Sequence, residues 1–141
     1  MALGSLEAGL AFTNAILGAT HAMSHQVGGV LDAPHGVVNA VLLPHVIRFN
    51  AQVSPERFVP LAAACGIAVE GVPAGEVALR LAERVRGLAD EVGAPKGLAA
   101  LGVTEEVLPQ MAKTTMQDAC LATNPREADE RDIEALFRAA L

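Results

Sequence analysis

The chain has 141 residues, of which 52% are hydrophobic but only 3% aromatic, and it carries a formal net charge of −6. This length fits one domain, or part of a larger enzyme, and a core built from Ala, Val and Leu favours closely packed helices. The acidic balance, the absence of a basic cluster and the lack of Trp and Tyr argue against a nucleic-acid-binding surface.

The first predicted element is one long helix over residues 5–27, in which leucines are joined by many small residues. Polar residues interrupt this stretch too often for a membrane span: Glu7, Thr13, Asn14, Thr20 and His21. The N-terminus also lacks the basic segment and cleavage site of a secretory signal, so we expect a cytoplasmic protein without membrane partners. Gly28 and Gly29 are predicted to end the helix, because adjacent glycines supply a left-handed turn.

The second predicted helix begins at Pro34, since proline suits the first turn of a helix. Its apolar segment over residues 36–50 is predicted to be heavily buried, and to be bent or reset at Pro44. A short third helix is expected over residues 55–65, closed by Gly66.

Residues 74–93 predict an amphipathic surface helix, because apolar side chains recur there at alternating three- and four-residue steps. Residues 97–102 predict a single helical turn. A further helix is predicted over residues 104–120, whose first turn carries two glutamates, as the helix dipole prefers. The phrase TNPR at residues 123–126 predicts a turn.

The last predicted helix starts near Asp129, a candidate N-cap with Asp132 three residues on, and presents four apolar side chains to a core: Ile133, Leu136, Phe137 and Leu141. No alternating strand pattern, sequence repeat or Gly-rich nucleotide motif occurs along the chain. We therefore predict an all-α fold, an antiparallel helical bundle of about six to seven helices that forms a single domain over residues 1–141.

Three of the four histidines lie in the segment HAMSHQVGGVLDAPHG, residues 21–36. His21 and His25 are one helical turn apart, and His35 follows at the start of the next helix. Neutral imidazoles so placed could bind a divalent metal ion, but histidines at helix ends are often only hydrogen-bonded, and the residues alone leave both interpretations open. Asp32 could complete a local site with His21 and His35, or could simply cap a helix.

The fourth histidine and the two cysteines have less distinctive surroundings. His45 lies inside an apolar segment and is predicted to be a hydrogen-bonded core histidine. Cys65 and Cys120 are far apart and form no CxxC pattern, which argues against a disulfide framework or a zinc knuckle. We predict that both are reduced, buried packing residues.

Residues 9–50, GLAFTNAILGATHAMSHQVGGVLDAPHGVVNAVLLPHVIRFN, closely resemble the signature of the iron-containing alcohol dehydrogenases, and a weaker likeness continues over residues 118–141. The phrases HxxxH, GG, PHG and NAVLLPH occur in the order and spacing of that family. The resemblance implies part of its C-terminal helical domain. By motif position it implies that His21 and His35 are two of four metal ligands, for iron or zinc, and that His25 is a cleft histidine with a catalytic role.

The resemblance also implies parts that these residues do not contain. The family's other two metal ligands, an Asp and a His in a DxxxH phrase, lie upstream, and no DxxxH phrase occurs here. NAD(P) would bind only to the N-terminal α/β domain, so no cofactor-binding residue is assigned in this chain.

From this resemblance we expect the helical metal-binding portion of an NAD(P)-linked alcohol/aldehyde oxidoreductase, inactive by itself. Its expected partners are a complementary N-terminal half, or a second copy through self-association, with a small alcohol or aldehyde as substrate of the complete enzyme. The alternative is a non-enzymatic helical module, used for interaction or assembly and derived from that domain. An apolar face cut from its neighbour would then bury against a partner.

Overall fold

The computed structural model describes all residues from Met1 to Leu141 and contains seven α-helices and no strand. The helices are α1 (Ala2–Ala15), α2 (Ala19–Leu31), α3 (His35–Asn50), α4 (Val59–Ala64), α5 (Ala74–Glu91), α6 (Leu108–Thr115) and α7 (Glu130–Ala139). Four short 3-10 helices lie at Pro55–Phe58, Leu98–Leu101, Glu105–Val107 and Ala119–Thr123. The predicted all-α bundle of six to seven helices is confirmed.

The main core lies where α2, α3, α6 and α7 pack together. Its largest fully buried side chains are aliphatic, apart from one phenylalanine: Met23, Val27, Leu42, Leu98, Leu108, Ile133 and Phe137. A smaller cluster of Ala62, Val77 and Leu81 joins α4 to α5. Because α3 contacts α2, α5 and α7, it is the central helix that fixes the position of the others.

Helix α7 forms as predicted. The Asp129 carboxylate accepts from the Asp132 backbone N–H at 2.8 Å, and the Asp132 side chain accepts from the Asp129 N–H at 3.3 Å. This reciprocal capping box fixes the start of the helix. Ile133, Leu136 and Phe137 then fall on one face at helical spacing, and all three are buried.

The prediction of one helix over residues 5–27 was wrong, because the chain breaks between Ala15 and Ala19 and bends by 99°. Gly18 is extended there, and the Ala19 backbone N–H donates to the Asn124 side-chain oxygen at 3.1 Å. A tertiary hydrogen bond therefore replaces the continuing helix. No residue of α1 is buried, so that helix stands apart from the core.

Two further boundaries differ from prediction. Helix α2 runs through Gly28 and Gly29 to Leu31, and it ends at Asp32, which adopts the left-handed conformation and donates its N–H to the Gly28 carbonyl. Helix α3 begins at His35 and is not reset at Pro44, which lies buried inside it.

The predicted helix over residues 104–120 is α-helical only within α6, between two 3-10 segments. Asp118 caps the second of these segments, Ala119–Thr123: its carboxylate accepts the Cys120 backbone N–H at 2.9 Å. Helix α5 forms over most of its predicted range and ends at Glu91, but the last two apolar side chains of the recurring pattern, Leu88 and Val92, are exposed.

The two cysteines are free thiols, as predicted, but they are not buried packing residues. Cys65 is exposed at the end of α4, and Cys120 is half-buried in the 3-10 segment after α6. No single helix has both the length and the hydropathy to span a membrane; α1 and α2 reach these values only as a pair, across their bend.

Candidate functional site

Three histidines of α2 and α3 lie close together. His21 and His25 lie one turn apart on α2, and the short connection after Leu31 folds the chain back so that His35 opens α3 beside them. The ring centroids of His35 lie 5.1 Å from His21 and 5.4 Å from His25, and those of His21 and His25 are 6.3 Å apart. The three residues singled out in the sequence thus form one cluster.

The His35 ring is oriented by Ser24, which is fully buried one helical turn after Thr20 on α2. Ser24 Oγ lies 3.1 Å from His35 Nδ1 and 3.5 Å from the His35 carbonyl oxygen, to which it donates. The hydroxyl can therefore accept an Nδ1–H proton while it donates its own. In that arrangement the Nε2 lone pair of His35 is available to a ligand.

The His21 ring is oriented by Asn39 on α3. The Asn39 amide nitrogen lies 3.3 Å from His21 Nε2, and the Asn39 Oδ1 atom is buried without a partner. A ligand at His21 Nε2 would have to displace that amide. Burial, together with the neighbouring His35 and His25, lowers the pKa of His21, and this favours the neutral imidazole that metal ions require.

The His25 ring is more exposed, with 41% of its side chain accessible, and its Nδ1 lies 2.8 Å from Asp118 Oδ2. The other carboxylate oxygen of Asp118 accepts from the Cys120 N–H. Burial alone would raise the pKa of Asp118, but hydrogen bonds from His25 and Cys120 outweigh it, and the net pKa is lowered. Burial first, and then Asp118, raise the pKa of the Cys120 thiol, so Cys120 stays protonated at neutral pH.

Two sets of possible metal donors exist in this cluster. The set implied by the resemblance is His21 and His35, two imidazoles brought together from two helices. A second set consists of His25, Asp118 and Cys120, whose donor atoms all lie within 4.8 Å of one another. Asp32 belongs to no group of three such donors, and it serves instead as the C-terminal cap of α2.

The imidazole pair fits a divalent iron or zinc ion by donor chemistry, since neutral imidazole nitrogen suits both metals. Two imidazoles are too few for a tight site, because catalytic zinc sites use three protein ligands and comparable iron sites are similarly built.

His45 lies outside the cluster, half-buried on α3. Its Nε2 lies 3.4 Å from the Arg86 guanidinium, which also donates to the Val41 carbonyl at 3.2 Å. Burial, and then the charges of Arg86 and Arg48, lower the pKa of His45. The prediction of a hydrogen-bonded histidine is confirmed, although the ring is only partly buried.

Sequence reasoning missed the three residues that orient the imidazoles: Ser24, Asn39 and Asp118. Asn39 follows His35 by one helical turn, so helical spacing could have identified it. Asp118 is 93 residues from His25 and has no local signal beyond its place in the phrase DACLATNPR.

Comparison with known proteins agrees with this architecture. Residues 1–141 match the family model described as Fe-containing alcohol dehydrogenase family, C-terminal. The chain is 44% identical to a 1,3-propanediol dehydrogenase of Klebsiella pneumoniae, over 99% of this chain and 36% of that protein. It is 41% identical to a lactaldehyde reductase of Escherichia coli K12, over 99% of this chain and 37% of that protein.

The structural comparison gives the same result. The crystal structure of a 1,3-propanediol oxidoreductase superposes with a TM-score of 0.94 at 44% identity, covering 97% of this chain and 36% of that one. The chain therefore spans about a third of the length of the relatives it matches.

Proposed function

The chain belongs to the Fe-containing alcohol dehydrogenase family, and we propose that it supplies the helical, metal-binding portion of an enzyme that interconverts alcohols and aldehydes with NAD(P). The observation that carries this proposal is the convergence of His21, His25 and His35 from two helices onto one cluster. Relatives that act on 1,3-propanediol and lactaldehyde support a small alcohol or aldehyde as the substrate.

In this proposal His21 and His35 hold the metal ion, together with ligands from outside these 141 residues. When bound, iron or zinc would polarise the alcohol oxygen as a Lewis acid, and NAD(P) bound elsewhere would accept the hydride. Ser24 keeps the His35 imidazole in place through Nδ1 and leaves its Nε2 for the metal ion, whereas Asn39 contacts His21 Nε2 and has to release that nitrogen when the metal binds.

His25 is the proposed proton-transfer residue. Its ring is exposed beside the other two imidazoles, and an imidazole can both accept and donate a proton. The NAD(P) platform would be supplied by an α/β region outside this chain. Free Cys65 and Cys120 support a reducing, cytoplasmic location.

The proposal can be tested in a chimaera in which this chain replaces the matching C-terminal region of the Klebsiella pneumoniae 1,3-propanediol dehydrogenase. We expect stoichiometric iron or zinc and NAD(P)-dependent oxidation of a primary alcohol. His21→Ala and His35→Ala should each lower metal retention, because each removes one of the four proposed ligands. His45→Gln is the matched control and should retain the metal.

Two results would contradict the proposal. One is metal content in the chimaera that does not respond to either His21→Ala or His35→Ala. The other is alcohol oxidation by the 141-residue chain alone, with iron and NAD, above the rate of the metal without protein.

A second candidate function, a helical assembly module, is favoured by helix α1. This helix exposes a series of large apolar side chains: Leu3, Leu6, Leu10 and Phe12, followed by Ile16. Such a surface promotes association with a partner or a second copy. Partner binding that survives both His21→Ala and His35→Ala would support this function, whereas a monodisperse monomer in sedimentation at high concentration would contradict it.

A further inference from the structure

We infer that Asp118 is a positioning residue for His25: its carboxylate holds the proton on Nδ1 and so leaves Nε2 as the nitrogen that exchanges protons. This inference rests on the proposed role of His25. Its geometric basis is the 2.8 Å contact between His25 Nδ1 and Asp118 Oδ2, the one hydrogen bond that the His25 ring makes.

The Asp118 carboxylate is fixed by contacts that do not involve His25. Its Oδ1 accepts the Cys120 N–H at 2.9 Å and caps the 3-10 segment Ala119–Thr123. At the end of that segment, the Thr123 hydroxyl donates to the Leu17 carbonyl, and Asn124 Oδ1 accepts from the Ala19 N–H. The segment is thereby tied to the start of α2, the helix that carries His25.

The Asp118 carboxylate then determines which tautomer the His25 imidazole adopts. A carboxylate, ionised at neutral pH, can only accept hydrogen bonds, so His25 Nδ1 must donate. A neutral imidazole carries one proton, and with that proton on Nδ1 the lone pair is on Nε2. The His25 ring is also stacked on His35, with an interplanar angle of 21°, which limits its rotation.

The first test needs no activity and no metal. Two-bond ¹⁵N–¹H spectra of the 141-residue chain at pH 8, with His25 assigned from a His25→Gln variant, report which ring nitrogen carries the proton. We expect Nδ1–H in the unsubstituted chain. A predominant Nε2–H tautomer there would overturn the inference.

Asp118→Asn sharpens this test. The amide oxygen can still accept the Cys120 N–H, which places the NH₂ group against His25 Nδ1, where it donates. We expect the tautomer to reverse to Nε2–H. Asp90→Asn, which removes an exposed carboxylate that takes part in no side-chain hydrogen bond or salt bridge, is the matched control and should leave the His25 signals unchanged.

The second test uses the chimaera. Asp118→Asn should lower kcat by about 10²-fold, the scale of a lost general acid–base contribution, with KM and metal content almost unchanged. In a His25→Ala background the same substitution should have no further effect, because Asp118 acts through His25. An equal loss in both backgrounds would overturn the positioning role.

The two tests separate this inference from the proposed function. An unsubstituted chimaera that binds metal but does not oxidise alcohols contradicts the proposed function, whereas the tautomer of His25 in the 141-residue chain still decides the role of Asp118.

Discussion

Asn50 and Asn124 exchange side-chain amide hydrogen bonds across 74 residues of sequence: each Nδ2 donates to the Oδ1 of the other, at 3.2 and 2.8 Å. Asn124 also accepts from the Ala19 N–H and donates to the Arg126 carbonyl at 2.7 Å. Arg126 in turn lies over the Phe49 ring, 3.8 Å from its centroid. These contacts join the start of α2, the end of α3 and the loop before α7.

We predict that Asn124→Ala lowers the free energy of unfolding by about 2–6 kcal/mol, because it leaves the Asn50 amide and the Ala19 N–H without partners, each costing about 1–3 kcal/mol. Urea denaturation measures this. The Asn50→Ala/Asn124→Ala double variant should cost less than the sum of the single variants. Asn14→Ala, on exposed α1, should change stability by less than about 0.5 kcal/mol. Additive losses at Asn50 and Asn124 would contradict the coupling.

Gly97 is predicted to be intolerant of any side chain. A Cβ there would lie 2.4 Å from the Leu141 carbonyl oxygen, and backbone atoms cannot give way as a flexible side chain can. The adjacent hydrogen bonds from Leu98 N–H to the Ala140 carbonyl and from Ala99 N–H to the Leu141 carbonyl hold the C-terminus. We expect Gly97→Ala to destabilise the fold by about 1–3 kcal/mol.

The matched control for Gly97→Ala is Gly87→Ala, within α5, where no atom lies within 4 Å of the added Cβ. Alanine is favoured over glycine inside a helix by about 0.5–1 kcal/mol, so this variant should be more stable than the unsubstituted chain. Thermal unfolding followed by circular dichroism would show the opposite signs. A Tm for Gly97→Ala equal to that of the unsubstituted chain would refute the steric argument.

Stability should fall in mild acid because of His45. Its pKa is lowered in the folded state from an ordinary value of 6.5, so the unfolded chain binds the proton more readily. Well above pH 6.5 both states are neutral at this residue, and no stability is lost there. As the pH falls below 6.5, the free energy of unfolding decreases until the folded state is protonated as well.

We predict that His45→Gln shows a smaller decrease in the free energy of unfolding between pH 8 and pH 5 than the unsubstituted chain. Urea denaturation at both pH values measures it. The part of the decrease that arises from His21, whose pKa is also lowered, should remain in the variant. If the two proteins show the same pH dependence, the pKa of His45 is not lowered in the folded state.

Helix α1 should contribute little to the stability of the rest of the chain, because none of its residues is buried. We predict that deletion of residues 2–15 changes the free energy of unfolding of the core by less than about 0.5 kcal/mol. Leu42→Ala, at a fully buried site, should cost about 2–5 kcal/mol in the same assay. If the deletion costs as much as Leu42→Ala, α1 packs against the core in solution.

The sequence was sufficient where the determinants are local. The capping box of Asp129 and Asp132 and the apolar spacing that follows lie within ten residues, and both the start and the buried face of α7 were predicted correctly. The HxxxH spacing likewise placed His21 and His25 on one helical face, and a short Pro-containing connection was enough to bring His35 near them.

Long-range contacts could not be predicted in this way. The break before α2 depends on Asn124, 105 residues away from Ala19, and the chain between Ala2 and Leu31 carries no proline to signal it. The Gly28–Gly29 pair does not end the helix because the left-handed residue at its C-terminus is Asp32, three residues further on. Asp118, the partner of His25, could not be predicted for the same reason as the helix break before α2: it lies near His25 only in the folded chain.

The distance along the chain between His25 and Asp118 also orders events during synthesis. A ribosome that has released α2 and α3 has yet to make Asp118, so the nascent protein presents its imidazoles for some time without their carboxylate. Closure of a loop of this length is slow compared with helix formation. Correct proton placement at His25 is therefore a late event in the maturation of the polypeptide, after most of the bundle has been translated.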